Sequence, residues 1–161
     1  FFIRPIRPSD ADLLIDHFHS LSSHSIYMRF FSPVKQLSRD MLIRLTQIDY
    51  DREIALVALM GKEQNQKMVG VCRIIVFPDK TQAEFALAIS DDWQGKGIGS
   101  SLLTQCLKAA RQMGIKRVMG CVLAENTQML KLGRKLGFAI TRVPGGGEYE
   151  LIIENDDLDI E

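Results

Sequence analysis

The sequence predicts a mixed α/β (α+β) fold in which a mostly antiparallel central sheet of about six to seven strands is flanked by helices. Three observations lead there. Roughly the first fifty residues read as helical after a short opening strand; three extended runs then follow across short turns; and a glycine-rich turn opens a long amphipathic helix that leads to a further strand. Strands joined by short turns form an antiparallel meander, whereas a strand reached through a helical crossover lies parallel to the one before it.

The opening Phe2-Ile3-Arg4-Pro5-Ile6-Arg7-Pro8 is a short strand, placed at an edge by two prolines that donate no hydrogen bond. Ser9 is suited to cap a helix to about Leu21, where Leu13, Leu14, Ile15, Phe18 and Leu21 recur at helical spacing. A second short helix covers Ile26 to Phe31. A third, capped by Ser38, runs from Asp40 to Ile48 behind the stripe Met41, Leu42, Leu45 and Ile48. Arg29, Arg39 and Arg44 on these helices read as solvated or ion-paired surface groups, and His17, His19 and His24 as surface or packing groups.

Ile54 to Leu59 is a continuous apolar run, as expected of a strand covered on both faces; Met68 to Phe77 and Thr81 to Ser90 are the next two, separated by polar turns. The helix from Gly97 to about Met113 carries Ile98, Leu102, Leu103, Cys106, Ala109, Ala110 and Met113 on one face, and Gly114 stops it. Arg117 to Leu123 is the parallel strand. Asn126 or Thr127 caps a helix to Leu136 ended by Gly137, and Phe138 to Val143 with Glu148 to Ile153 form a last hairpin.

A length of 161 residues, 46% of them hydrophobic, suits one domain over 1–154, with an acidic tail over 155–161 expected to be frayed. The opening without Met suits an excised or processed piece. Twenty basic and twenty acidic residues cancel, which argues against a nucleic-acid surface, and no apolar run reaches the roughly 18 residues that span a bilayer, so a cytoplasmic protein is expected. Cys72, Cys106 and Cys121 are odd in number and widely spaced; they read as buried free thiols, and neither a disulfide framework nor a metal site is expected.

The turn Gln94-Gly95-Lys96-Gly97-Ile98-Gly99 between strand and helix presents unpaired backbone N–H groups and the positive end of a helix dipole, a site for an anion. The nucleotide P-loop pattern fails because no Lys-Ser or Lys-Thr pair follows the last glycine, and the dinucleotide fingerprint is weak because Ser100 stands at its third glycine position. Gln94, Gly97 and Gly99 do meet Q/R-x-x-G-x-G/A. With the meander before it, and Glu125-Asn126 and Lys135-Leu136-Gly137-Phe138 after it, this pattern resembles the GNAT acetyltransferase family. Tyr27-Met28-Arg29-Phe30-Phe31, Asp49-Tyr50-Asp51-Arg52-Glu53 and Ala83-Glu84-Phe85-Ala86 resemble more narrowly the GNAT domain of bacterial Pat-type protein lysine acetyltransferases, many of which carry an acyl-CoA-synthetase-like region.

The resemblance implies acetyl-CoA as cosubstrate and a lysine amine of a protein as acceptor, with an acyl-CoA synthetase among the candidate proteins. It assigns the pyrophosphate to Gln94, Gly95, Lys96, Gly97, Ile98, Gly99 and Ser100, the pantetheine arm to backbone groups near Leu87 and Ile89 where the strand splays from its neighbour, and a polar contact on the coenzyme side to Asn126. A lysine arrives protonated at neutral pH, so a base is needed. Strand alternation sets Glu84 on one face with the small Ala86 and Ala88, which leaves room for a ligand, and partial burial there would suit it to accept the proton. By resemblance Glu84 is also the catalytic glutamate; Glu53 and Glu125 are the competing carboxylates. Many family members have a Tyr about seven residues after the Asn, where this chain has Gly133, so the general acid is unassigned. Two other readings stand beside this one: a small-amine acetyltransferase, and a non-catalytic acyl-CoA sensor.

Overall fold

The computed structural model describes residues 1–154; the acidic tail at 155–161 lies outside the described residues. The strands are β1 (Phe2–Pro5), β2 (Glu53–Met60), β3 (Lys67–Val76), β4 (Gln82–Ile89), β5 (Arg117–Leu123), β6 (Ala139–Arg142) and β7 (Glu148–Glu154). The helices are α1 (Ala11–Ser20), α2 (Ser23–Phe30), α3 (Arg39–Thr46), α4 (Ile98–Gln112) and α5 (Thr127–Leu136). The strands form one seven-stranded sheet in the order β1-β2-β3-β4-β5-β7-β6. Every pairing is antiparallel except β4 with β5, which the α4 crossover makes parallel. In the closing hairpin the second strand, β7, inserts beside β5, and β6 becomes the edge.

The two faces of the sheet are covered separately. Leu102, Leu103, Cys106 and Leu107 of α4 pack with Ile74, Phe85, Val118 and Leu151 on one face, which α5 joins through Leu130. On the other face Leu14 of α1 meets Ile6, Val57, Leu59 and Val71, with Leu42 and Leu45 of α3 at the margin. Each of these buried aliphatic side chains contributes roughly 1.5–3 kcal/mol relative to exposure.

Several local expectations are corrected. Ser9 caps no helix: Pro8–Asp10 forms a 3-10 turn before α1, because both Asp10 carboxylate oxygens accept from Arg4, at 2.7 and 2.8 Å, and one also accepts the Arg7 N–H at 2.8 Å. The second helix starts at Ser23, three residues before the expected Ile26, because the Ser22 hydroxyl accepts from the Ser25 N–H at 3.0 Å. Ser38 and Asn126 cap as expected, through the Met41 and Met129 N–H groups. A 3-10 turn at Asp91–Trp93 separates β4 from the glycine loop. Of the three thiols only Cys72 and Cys106 are buried; Cys121 is exposed, because alternation on β5 turns it to the face opposite α4.

Candidate active site

β4 and β5 pair only at Gln82↔Arg117, Ala83↔Val118 and Glu84↔Met119. Beyond Glu84 the two strands splay, while β5 stays paired with β7 as far as Leu123. Gly120 helps set this geometry. A Cβ there would stand 2.5 Å from the Phe85 ring, so glycine lets that ring lie across β5. The edge of β4 past the fork therefore has backbone groups turned to a gap instead of to a strand.

A cavity of about 550 Å³ occupies that gap. Leu87, Ala88 and Ile89 of β4 form one wall, the glycine loop and the first turn of α4 another, and Glu125, Asn126 and α5 a third. Gly97 is the residue before α4, with φ of 87°, and a Cβ built on it meets nothing within 4 Å. The loop thus needs a left-handed conformation and keeps open space in front of it. The first N–H groups of a helix lack intrahelical partners, which makes this mouth suited to a phosphate.

Of the residues singled out in the sequence, Leu87, Ile89, Gln94, Gly95, Gly97, Gly99, Ser100 and Asn126 all line this cavity. The Gln94 side-chain amide donates to the Ile89 carbonyl at 3.0 Å and to the Ser25 hydroxyl at 3.4 Å, so it braces the loop against β4 and α2. The Asn126 oxygen accepts the Met129 N–H at 3.2 Å, which leaves its amino group for a ligand. Two loop residues stand apart: Lys96 holds its ammonium 5.0 Å from the Trp93 ring, and Ile98 is buried in the core, so only its backbone can serve.

Glu84 stands at the apex of the fork, outside the lining of the cavity, and its side chain is exposed; the partial burial expected for it is not found. Its face is acidic. Glu150 lies opposite Cys121 across β5 and β7, and the Cys121 thiol is pushed up by burial and then by the nearby carboxylates of Glu148, Glu84 and Glu150. Glu53 lies across Ile75 from Glu84, two inter-strand spacings or about 10 Å away, and Glu125 lines the cavity. At Gly133 a Cβ would stand 2.5 Å from a Leu151 methyl, so a side chain there would have to displace it. Among the described residues no group of three or more His, Cys, Asp or Glu converges to hold a metal ion, and no helix is long and apolar enough to cross a membrane.

Sequence reasoning missed Trp93, Met28, Lys131, Lys135 and above all Arg29, all of which line the cavity. The two lysines were findable, since four residues separate them on α5. Arg29 was not, because it is half-buried against the sheet instead of solvated, a fact of packing that its own helix does not encode.

A forked mixed sheet with an anion-binding loop at the mouth of the fork defines an acyl-transfer scaffold. The chain belongs to the GNAT acetyltransferase family, whose model, described as Acetyltransferase (GNAT) family, matches residues 22–138. It is 32% identical over 142 residues to the acetyltransferase PA5475 of Pseudomonas aeruginosa, an alignment that spans 88% of this chain and 76% of that one. The crystal structure of the GNAT domain of S. lividans PAT superposes with a TM-score of 0.87 at 29% identity, covering 94% of this chain and 89% of that one. The structure of yncA from Salmonella typhimurium, solved with acetyl-CoA, shares the fold at 17% identity, with a TM-score of 0.76 and coverage of 98% and 95%.

Proposed function

We propose that this chain transfers the acetyl group of acetyl-CoA directly to a lysine side-chain amine of a protein, with Glu84 as general base. The observation that carries this reading is the fork itself. It sets a coenzyme-sized cavity and an open phosphate-binding loop on one side of an apex, and a carboxylate at that apex. The bound thioester supplies the electrophilic acyl carbon, and the chain's own residues do the rest.

The loop N–H groups hold the pyrophosphate while Lys131 and Lys135 add positive charge along the cavity wall. Backbone of β4 near Leu87 and Ile89, which β5 does not pair and of which Gln94 takes only the Ile89 carbonyl, orients the pantetheine arm, and fixed donors there stabilise charge that builds on the acyl oxygen. The acceptor ammonium, with a reference pKa near 10.4, is drawn to the face bearing Glu84, Glu148 and Glu150. Glu84 then takes its proton, directly or through a water to which its exposure gives access; the freed amine attacks the acyl carbon, the carbon–sulfur bond breaks, and coenzyme A leaves as a thiolate that takes its proton from solvent, its thiol pKa being near 8.5.

The resemblance of the sequence to Pat-type protein lysine acetyltransferases supports a protein acceptor and makes an acyl-CoA synthetase, free or attached, the first partner to test. The test is Glu84→Gln. Acetyl-CoA affinity is expected to stay near normal while transfer to lysine falls at least about tenfold, as loss of a general base requires; unchanged turnover removes Glu84 from the mechanism. Mapping modified residues after incubating the domain with labelled acetyl-CoA and a cell lysate separates a protein acceptor from a small amine and an enzyme from a sensor.

A further inference from the structure

Among the described residues two buried side-chain polar atoms lack a hydrogen-bond partner, His17 Nε2 and Arg73 Nη1, and both residues wall one small cavity of about 30 Å³. Buried polar atoms are nearly always satisfied; the His17 ring has the Met68 backbone beside it, so it is the Arg73 orphan that marks a place for a group from outside the chain. Arg73 is only 4% exposed. Arg29 walls this cavity too, and it also walls the large one, so the two spaces adjoin at its side chain and at Ala88. Neither guanidinium has an ion-pair partner among the described residues.

Burial, and after it the Arg29 guanidinium, push the Arg73 pKa down to about 10, while Glu53 works the other way. Two like charges brought together without a counter-ion call for an anion between them. Position says whose anion it is. In the β3–β4 ladder Arg73 lies opposite Ala86, on the same face as Glu84 and diagonal to it, and Ala86 and Ala88 are small enough to leave the floor open. The positive pair thus lies on one side of Glu84, and Glu148 and Glu150 on the other.

We propose that Arg29 and Arg73 bind a carboxylate of the acceptor, so that the amine delivered to Glu84 belongs to a molecule with an acidic group about one side chain away. This rests on the acetyl-transfer reading and narrows its substrate. The carboxylate is either the main-chain group of a free amino acid or the side chain of an acidic residue beside the target lysine.

Two matched pairs of acceptors separate these sources: free lysine against lysinamide, and a lysine peptide with a flanking Glu against the same peptide with Gln. The carboxylate member of one pair is expected to have a kcat/KM about tenfold higher, as a charge-assisted bidentate contact would give. In Arg29→Gln and Arg73→Gln that preference collapses toward parity, and in Arg73→Gln, whose side chain does not line the large cavity, the KM for acetyl-CoA stays unchanged. Arg29→Gln, at a half-buried position, keeps the test open if the Arg73 variant does not fold. Equal rates within both pairs, or a preference that survives in Arg29→Gln, overturn the proposal. If no amine is acetylated at all, the transfer reading fails, and calorimetry with glutarate on the CoA-loaded protein decides this one: binding to the wild type that is lost in Arg29→Gln upholds it, and no binding, or equal binding, sinks it.

Discussion

Burial, with a smaller push from the neighbouring Arg73 guanidinium, brings the His17 imidazole down to about 4 against a hydrogen bond with the Met68 backbone that raises it. An unfolded histidine titrates near 6.5, so between roughly 6.5 and 4 the unfolded chain binds a proton that the folded chain refuses. The stability this confers is complete above 6.5 and is lost as the pH falls, at up to about 1.4 kcal/mol per pH unit. Urea unfolding at pH 7 and at pH 5 is therefore expected to show a loss of about 2 kcal/mol from this residue. His17→Gln, whatever its stability at neutral pH, is expected to have a flatter dependence over that window; an unchanged slope would place the proton elsewhere. Asp10 behaves differently at the same scale. Burial alone would raise its pKa, but the bidentate Arg4 contact and the Arg7 N–H overcome that and hold it below the usual carboxylate range. Its contribution is present above about pH 4 and fades below it, and Asp10→Asn, which leaves Arg4 largely buried without its partner, is expected to cost about 3 kcal/mol in chemical denaturation at pH 7.

Most elements whose cause is local were legible in the sequence, α2 with its Ser22 cap being missed by three residues. Ser38 and Asn126 capped the helices they were expected to cap, and Gly137, at φ of 93°, ended α5 where expected. Elements whose start depends on a distant partner were not. Ser9 is a good cap by composition, yet the Arg4–Asp10 pair reshaped that turn. The loop before α4 offers the sharpest test at this scale. Gly97→Ala puts a Cβ at a φ of 87°, which strains the turn and intrudes on the open space before the α4 N–H groups. The expected outcome is a KM for acetyl-CoA raised several-fold with kcat much less affected, and calorimetry showing unaltered coenzyme binding would move the phosphate away from this loop. In the sheet, Gly120→Ala sets a methyl against the Phe85 ring, which itself packs on Phe138 at 5.3 Å, and a loss of roughly 1–3 kcal/mol in unfolding free energy is expected from the overpacking.

The large cavity belongs to no single element. β4, α2, α4 and α5 each supply part of its wall, and the fork that makes it arises from pairing that stops at Glu84–Met119. The sequence showed where the loop lies, because glycine spacing is local, and which face of β4 carries Glu84, because strand alternation is local. It could not expose the Arg29–Arg73 cavity, which exists only once α2 is laid over β3 and β4. This distribution has a measurable consequence. A ligand that touches four elements stabilises the folded molecule as a whole, by about 2.7 kcal/mol at a hundred times its Kd. For a chain of this size that corresponds to a rise of roughly 5–10 °C in Tm with acetyl-CoA. Glu84→Gln should show the full rise, since Glu84 lies outside the cavity, whereas Gly97→Ala should need proportionally more coenzyme to reach it. A full shift with no turnover in the wild type would identify a sensor; a full shift with turnover that Glu84→Gln abolishes would show binding and chemistry meeting at the apex of the fork.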